Sequence, residues 1–254
     1  MNILLTNDDG IHARGLAALY DEFSRIGRCL IVAPETEQSA VGHAITFTKP
    51  LTMRKTMHNG HYTGYAVAGT PADCVKLGVR ILSEETIDLV VSGINRGANV
   101  GINVIYSGTV SAATEAAILG VPSMAVSLDS RKEEADFTVA ARIARRLAFR
   151  MMERPFLKGV TLNVNVPALP EEEIRGIAAT RQGATQLLET YDRRTDPRDN
   201  IYYWLAGETI LPDEDDEADA WALKKGFVSV TPIQYDLTRY NVLKQLAEDL
   251  RDFS

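Results

Sequence analysis

The sequence predicts an α/β fold, a Rossmann-like and mostly parallel sheet with helices on both faces. Short, continuous apolar runs alternate with segments in which apolar residues recur every three or four positions. Strands that are apolar throughout are typical of a parallel sheet covered on both sides. From about residue 176 this rhythm changes, and we expect a C-terminal β-hairpin arm and a final helix there, both used in oligomerisation.

The first predicted strand and the helix after it are joined by an acidic turn. An apolar run at residues 3–5 leads within three residues to Asp8, Asp9 and Gly10, and a helical pattern follows. The two acids therefore lie at the carboxyl end of the first predicted strand, the edge at which open α/β sheets bind ligands. An isolated Asp-Asp-Gly is more often a solvated turn with an aspartate as helix cap, so the rest of the chain has to decide between these readings.

The next predicted elements continue the alternation. We expect strands at residues 29–33, 51–56, 62–67 and 88–91, with a hairpin turn at Asn59-Gly60. Thr70, Pro71 and Asp73 are typical of a helix start, as cap, first helical residue and first-turn acid. Polar loops at residues 35–43 and 92–101 follow two of the buried strands, and a helix of small residues is expected at 111–119.

The second half begins with a strand at 121–128, an amphipathic helix at 137–152 and a strand at 160–166. We then expect strands at 177–181 and 201–206 separated by a charged loop at 190–200, an acidic segment at 213–219, a strand at 227–233 and a helix at 239–253. The aromatic cluster Tyr202, Tyr203 and Trp204 packs either on another subunit or on its own domain, because a two-stranded arm is marginal alone. We divide the chain into a Rossmann-like domain, 1–170, and a C-terminal segment, 171–254, that we expect to serve oligomerisation.

Composition limits the function. The 254 residues carry a net charge of -7, so no global basic field favours nucleic acid or an anionic membrane. No apolar run approaches the roughly 18 to 20 residues that a membrane helix needs. We see no signal peptide at the N-terminus, and Cys29 and Cys74 are expected to be reduced core thiols. The chain is therefore predicted to be soluble and cytoplasmic.

Oxygen ligands follow three of the predicted strands. Asp8 and Asp9 follow the first, Ser39 lies in the loop after the second, and Asn95 lies in the glycine-rich loop. Taken singly, Ser39 and Asn95 are ordinary turn and loop residues. Together with the acids they form an all-oxygen set suited to Mg²⁺, Mn²⁺ or Ca²⁺. Such an ion also offsets the repulsion between two adjacent aspartates.

A second feature points to an anion. Ser107, Gly108 and Thr109 stand at the start of a predicted helix, where free N–H groups, the helix dipole and two hydroxyls favour negative charge. A capped helix without a ligand explains this segment equally well. Beside a hard metal, however, an anion site indicates phosphate chemistry, with attack on phosphorus by an activated water or a carboxylate.

Five ordered segments together resemble the SurE family, survival proteins with 5'/3'-nucleotidase activity. They are TNDDG at 6–10, VAP with QS at 32–39, GTPADCV at 69–75, SGINRGAN at 92–99 and YSGTV at 106–110. The segments LNVNVP at 162–167 and GFVSVTP at 226–232 extend the likeness across nearly the whole chain, which is weakest at 182–219.

The resemblance implies one divalent metal per subunit, held by Asp8, Asp9, Ser39 and Asn95. It implies a phosphomonoesterase acting on nucleoside 5'- and 3'-monophosphates, with short polyphosphate cut by some members, and a homodimer or homotetramer built by exchange of C-terminal segments. We assign Asp8 and Asp9 as catalytic and Ser107, Gly108, Thr109 and Asn95 as phosphate-binding. The rivals are a phosphate-binding regulatory module without catalysis and a phosphatase with Asp8 as covalent nucleophile. The Asp-x-Asp spacing usual for the latter is absent.

Overall fold

The computed structural model describes residues 1–253 except 59, 61, 154–158, 185 and 212. Its strands are β1 Asn2–Thr6, β2 Arg28–Pro34, β3 Met53–His58, β4 Tyr62–Val67, β5 Leu89–Arg96, β6 Ser123–Asp129, β7 Thr161–Pro167, β8 Ile177–Ala179, β9 Gln186–Thr195, β10 Ile201–Leu211 and β11 Val228–Ile233. Its helices are α1 Arg14–Phe23, α2 Pro71–Leu77, α3 Asn103–Tyr106, α4 Gly108–Ile118, α5 Thr138–Met152, α6 Asp219–Lys224 and α7 Tyr240–Asp249. A π-helical turn, Gly78–Leu82, continues α2.

The described strands form one large sheet and one hairpin. The large sheet has the order β3-β4-β2-β1-β5-β6-β7-β11-β8. Strand β1 pairs in parallel with both β2 and β5, and β5, β6 and β7 continue the parallel arrangement. The predicted α/β class is therefore confirmed, with β1 and its acidic turn in the interior of the sheet, between β2 and β5.

The strand β1 alternates its side chains between two packed faces. Ile3 and Leu5 join the core that contains helices α1 and α5. Leu4 points to the other face, where Cys74 of α2 and Ala112 of α4 pack against it. Because both faces are covered, the strand is apolar throughout, as the sequence indicated.

Helix α2 begins as predicted. The Thr70 hydroxyl accepts from the Asp73 amide, the Asp73 carboxylate accepts from the Thr70 amide, and Pro71 occupies the first turn. The hairpin of β3 and β4 also forms in the expected place, with His58 opposite Tyr62. Of its predicted turn, Asn59 lies outside the described residues.

Among the sequence-based boundaries that were wrong, two concern the site and the arm. Strand β5 runs on to Arg96, so residues 92–96 are extended and not part of the glycine-rich loop. The charged segment expected to be a loop at 190–200 is largely strand, because β9 continues to Thr195 and pairs with β10. Only residues 196–200 connect the two strands.

The C-terminal part both extends the sheet and leaves it. Strand β11 pairs antiparallel with β7 and parallel with β8. The hairpin of β9 and β10 is a separate two-stranded sheet with exposed aromatic side chains, and α7 has no buried residue in this chain. The division at residue 170 stays a prediction. No helix in the described part of the chain is long and apolar enough to cross a membrane.

Candidate active site

The acidic turn after β1 meets the start of α4. The Asp8 side chain is buried, and its Oδ1 accepts a hydrogen bond of 2.5 Å from the Thr109 hydroxyl. Gly108 allows this approach, because a Cβ at this position would lie 2.7 Å from the Cβ of Asp8. Two segments 100 residues apart, both selected from the sequence, therefore lie in direct contact.

Backbone contacts fix the conformation of the acidic turn. Gly10 has a φ of +99°, which favours glycine, and its carbonyl accepts from the Asn7 side chain at 2.9 Å. The turn is also tied to the segment after β2, because the Gln38 amide donates to the Asp8 carbonyl at 2.8 Å. The neighbour of Ser39 thus touches the backbone of Asp8.

The two aspartates share an environment that disfavours negative charge. Burial raises the pKa of Asp8 above its usual range, against the hydrogen bond from Thr109. Burial, followed by the charges of Asp8 and Glu37, raises the pKa of Asp9 to about 7, and the charge of Arg96 opposes this. A cation between the two carboxylates would remove most of this penalty.

The other two predicted ligands lie on neighbouring elements. Ser39 is exposed, and its hydroxyl donates to the Glu37 carboxylate at 2.5 Å. Asn95 follows an irregularity in the pairing of β5 with β6 between Gly93 and Asn95, a device that redirects side chains at the ends of strands. Its amide nitrogen donates to the Gly97 carbonyl at 2.8 Å, which leaves the amide oxygen for another partner.

The start of α4 is a capped helix N-terminus. The Ser107 hydroxyl accepts from the Val110 amide at 3.1 Å, and the Ser107 carbonyl accepts from the Ser111 hydroxyl at 2.7 Å. Of the two interpretations that the sequence offered, the structure shows the helix cap, and the anion site stays a prediction. Ser107 caps the helix, while the first-turn amides and the dipole still favour an anion beside Asp8.

The donor set fits a hard divalent ion. Within the described residues no group of three or more His, Cys, Asp or Glu side chains could hold a metal, so a zinc-type cluster is absent there. The candidates are instead two carboxylates, a hydroxyl and an amide, all oxygen donors. In addition, the side-chain oxygen of Asn7 is buried without a hydrogen-bond partner in the described part of the chain. A hydrated ion would provide such a partner.

Sequence reasoning did not assign roles to the asparagines that support the loop after β5. The Asn99 amide donates to Asn165 Oδ1 at 2.7 Å, and the Asn99 carbonyl accepts from the side chains of Asn163 and Asn165 at 2.8 and 3.0 Å. All three asparagines are buried. A signal was present, because asparagines at alternate positions of an otherwise apolar strand indicate a buried polar network. Sequence reasoning also did not select Glu37 and Arg96, whose charges shift the pKa of Asp9.

The chain is similar to known proteins over most of its length. The profile of the family described as Survival protein SurE matches residues 3–189. The chain is 61% identical over 247 residues to the 5'-nucleotidase SurE of Syntrophus aciditrophicus, covering 97% of this chain and 92% of that protein. It is 52% identical over 248 residues to the 5'-nucleotidase SurE of Syntrophobacter fumaroxidans, covering 98% and 99%. The crystal structure of the SurE protein from Aquifex aeolicus superposes with a TM-score of 0.81 at 41% identity, covering 96% of this chain and 98% of that chain.

Proposed function

Because the chain belongs to the survival protein SurE family, we propose that it is a 5'-nucleotidase that hydrolyses nucleoside monophosphates to nucleoside and phosphate. The observation that carries this proposal is the contact between the two segments. The buried carboxylate of Asp8 lies against the N-terminus of α4, so a phosphate at the helix end would also lie beside the paired acids. A site that only bound phosphate would gain nothing from two carboxylates next to the anion.

Asp8, Asp9, Ser39 and Asn95 would hold one divalent cation, Mg²⁺ or Mn²⁺, with Ca²⁺ as a third candidate. Their oxygen donors and the raised pKa of Asp9 support this assignment. When bound, the cation would polarise a phosphoryl oxygen and stabilise the charge that develops in the transition state.

The residues of the chain would bind the phosphate and orient the attacking water. Ser107, Gly108 and Thr109 would hold the phosphate oxygens with their amides and with the Ser107 hydroxyl, and Asn95 would add its side-chain amide. Thr109 also orients the Asp8 carboxylate. We assign Asp8 and Asp9 the roles of orienting the attacking water and accepting its proton, because their carboxylates lie beside the start of α4, where the phosphate would bind.

We also propose that the protein works as a homodimer or homotetramer in the cytoplasm. The exposed aromatic side chains of the β9–β10 hairpin and the apolar side chains of α7 support an assembly, because they have no cover in a single chain.

The free thiols of Cys29 and Cys74 support a reducing compartment.

The test is an assay of the purified protein against nucleoside 5'-monophosphates, nucleoside 3'-monophosphates, short polyphosphate and a plain phosphate ester. Each assay is run with added Mg²⁺ or Mn²⁺, in excess EDTA, and after the metal is restored. We expect turnover of 5'-monophosphates that EDTA abolishes and metal restores. Tight phosphate or nucleotide binding without turnover under any of these conditions would indicate the regulatory module instead.

A further inference from the structure

The segment that carries Ser39 is long and irregular. It connects β2 to β3 over residues 35–52 without a helix or strand. Loops of this length without secondary structure are uncommon inside a compact domain and are usually functional. The position of Ser39 therefore depends on whatever holds this loop against the rest of the protein.

A buried acid in α4 reaches this loop. Glu115 is 3% exposed in a helix that otherwise consists largely of small and apolar residues. Its Oε2 lies 2.8 Å from Nε2 of His43, and its Oε1 accepts a hydrogen bond of 2.5 Å from the Lys76 ammonium of α2. Burial alone opposes ionisation, but the hydrogen bonds from His43 and Lys76 lower the pKa of Glu115 below its usual range.

The residues next to His43 are held in the same place. The Ala44 carbonyl accepts from the Thr70 hydroxyl at 2.7 Å, and the Thr46 amide donates to both carboxylate oxygens of Asp73 at 3.0 and 3.1 Å. The Gly42 amide donates to the carbonyl of Tyr106, the residue before Ser107, at 3.1 Å. Residues 42–46 thus lie against α2 and against the helix whose N-terminus meets Asp8.

We propose that His43 and Glu115 are positioning residues that hold the Ser39 loop in the conformation required for metal binding. This inference rests on the proposed function, since it concerns the same metal site. The position of the pair explains why a charged group is buried in α4. A buried ion pair adds little stability compared with an apolar side chain of similar size, but only a polar group can bind His43 from inside the protein.

The expected effect follows from a two-state loop. If the fraction of molecules with a correctly placed loop falls, the apparent dissociation constant for the metal rises in inverse proportion. Once the metal is saturating, the loop is held again and the chemistry is unchanged. Loss of the contact between His43 and Glu115 should therefore weaken metal binding, while kcat at saturating metal stays nearly constant. A change that merely unfolds part of the protein would lower kcat and leave the affinity of the remaining molecules unchanged.

The test compares His43→Ala, which removes the contact, with His43→Gln, whose side-chain nitrogen can take the place of Nε2. Thr48→Ala, an exposed change on the same loop, is the matched control. Mn²⁺ binding is measured by calorimetry without substrate. We expect about tenfold weaker binding for His43→Ala, near wild-type binding for His43→Gln and Thr48→Ala, and kcat within about twofold of wild type at saturating Mn²⁺. Glu115→Leu, an apolar side chain of similar size, removes the same contact from the buried side and must show the same metal defect.

A second experiment measures the accessibility of the Ser39 loop to a protease. Phe47 is 90% exposed on it, so chymotrypsin should cut the Phe47–Thr48 bond faster in His43→Ala than in wild type when fragments are identified by mass spectrometry. Wild-type Mn²⁺ affinity together with a wild-type cleavage rate in His43→Ala would overturn the proposal, as would a loss of kcat without a loss of affinity. If wild-type protein itself neither bound Mn²⁺ nor hydrolysed nucleotides, the proposed function would fail, and this result is distinct from a wild type that works and a His43→Ala variant that matches it.

Discussion

The Thr109 hydroxyl donates to Asp8 Oδ1 at 2.5 Å, and both side chains are buried. This hydrogen bond joins Asp8 of the acidic turn to the first turn of α4. It places the carboxylate where the helix dipole is strongest, and it fixes the direction of the carboxylate before any ligand arrives. Preorganisation of this kind is what electrostatic catalysis requires.

Replacing Thr109 with valine should therefore reduce activity. Thr109→Val keeps the shape of the side chain but removes the donor, so Asp8 loses the partner that orients it. A hydrogen bond to a charged group contributes about 1.5 to 3 kcal/mol, or roughly 10- to 150-fold in kcat/KM. Thr109→Ser, which retains the hydroxyl, should recover most of the activity. If the valine and serine variants have the same kcat/KM, the bond has no catalytic role.

Ser107→Ala should affect both substrate use and stability. The loss of a hydroxyl from the proposed phosphate site should lower kcat/KM by roughly 10- to 150-fold, with Mn²⁺ affinity little changed. Because Ser107 also caps α4 through the Val110 amide, the free energy of unfolding should fall by about 1 kcal/mol. Ser107→Asn keeps a capping side chain and separates the two effects. A kinetic defect that extra metal fully repairs would place the phosphate elsewhere.

Asp73 should make stability depend on pH. Burial opposes its ionisation, but hydrogen bonds from Thr46 and Thr70 outweigh this and lower its pKa in the folded state. An unfolded aspartate titrates near pH 3.9 (roughly), so the contribution of Asp73 is complete above about pH 5 and is lost as the pH falls further through the folded pKa. In denaturant unfolding, the stability gap between wild type and Asp73→Asn should close from pH 6 toward pH 3. The exposed change Glu84→Gln is the control, and a gap of constant size would contradict the assignment.

The β9–β10 arm should determine the size of the assembly. Trp204 is 60% exposed in the single chain, so Trp204→Ser should weaken an interface without disturbing the core. Phe149→Ser, on the exposed side of α5, is the matched control. In light scattering we expect a smaller particle for Trp204→Ser only. A shortened arm in which a two-residue turn joins Tyr191 to Leu205, which are paired in the hairpin, should have a larger effect. An unchanged particle size for both variants would exclude the arm as the contact.

Much of the fold follows from local patterns. The run before Asp8 could be read as a buried strand because both of its faces are apolar. The Thr70-Pro71-Asp73 signature could be read as a helix start because capping depends only on neighbours in sequence. The charged part of β9 was missed for the opposite reason. Its residues, including Arg193 and Arg194, are exposed on an arm that leaves the sheet, so no alternation of buried and exposed positions marks them as strand.

The residues of the candidate site could be selected from the sequence, but the hydrogen bonds between them could not be predicted. Asp8 and Thr109 were each selected from sequence, yet their hydrogen bond spans 101 positions and depends on the order of strands in the sheet. The contact between His43 and Glu115 spans 72 positions and has no local signal at either end. Such contacts arise only when the loop after β2 and helix α4 meet at one edge of the sheet.

The central claim is that Asp8 and Asp9 hold a hard divalent ion on which nucleotide hydrolysis depends. The most direct test is a calorimetric Mn²⁺ titration of wild type, Asp8→Asn and Asp9→Asn, followed by kcat/KM for one nucleoside 5'-monophosphate in the same samples. Both changes keep the shape of the side chain and remove a charge that the ion needs. We predict one ion per chain in wild type, and severely weakened binding and activity in both variants. Full activity of wild type in excess EDTA, or of Asp9→Asn at any metal concentration, would contradict the account.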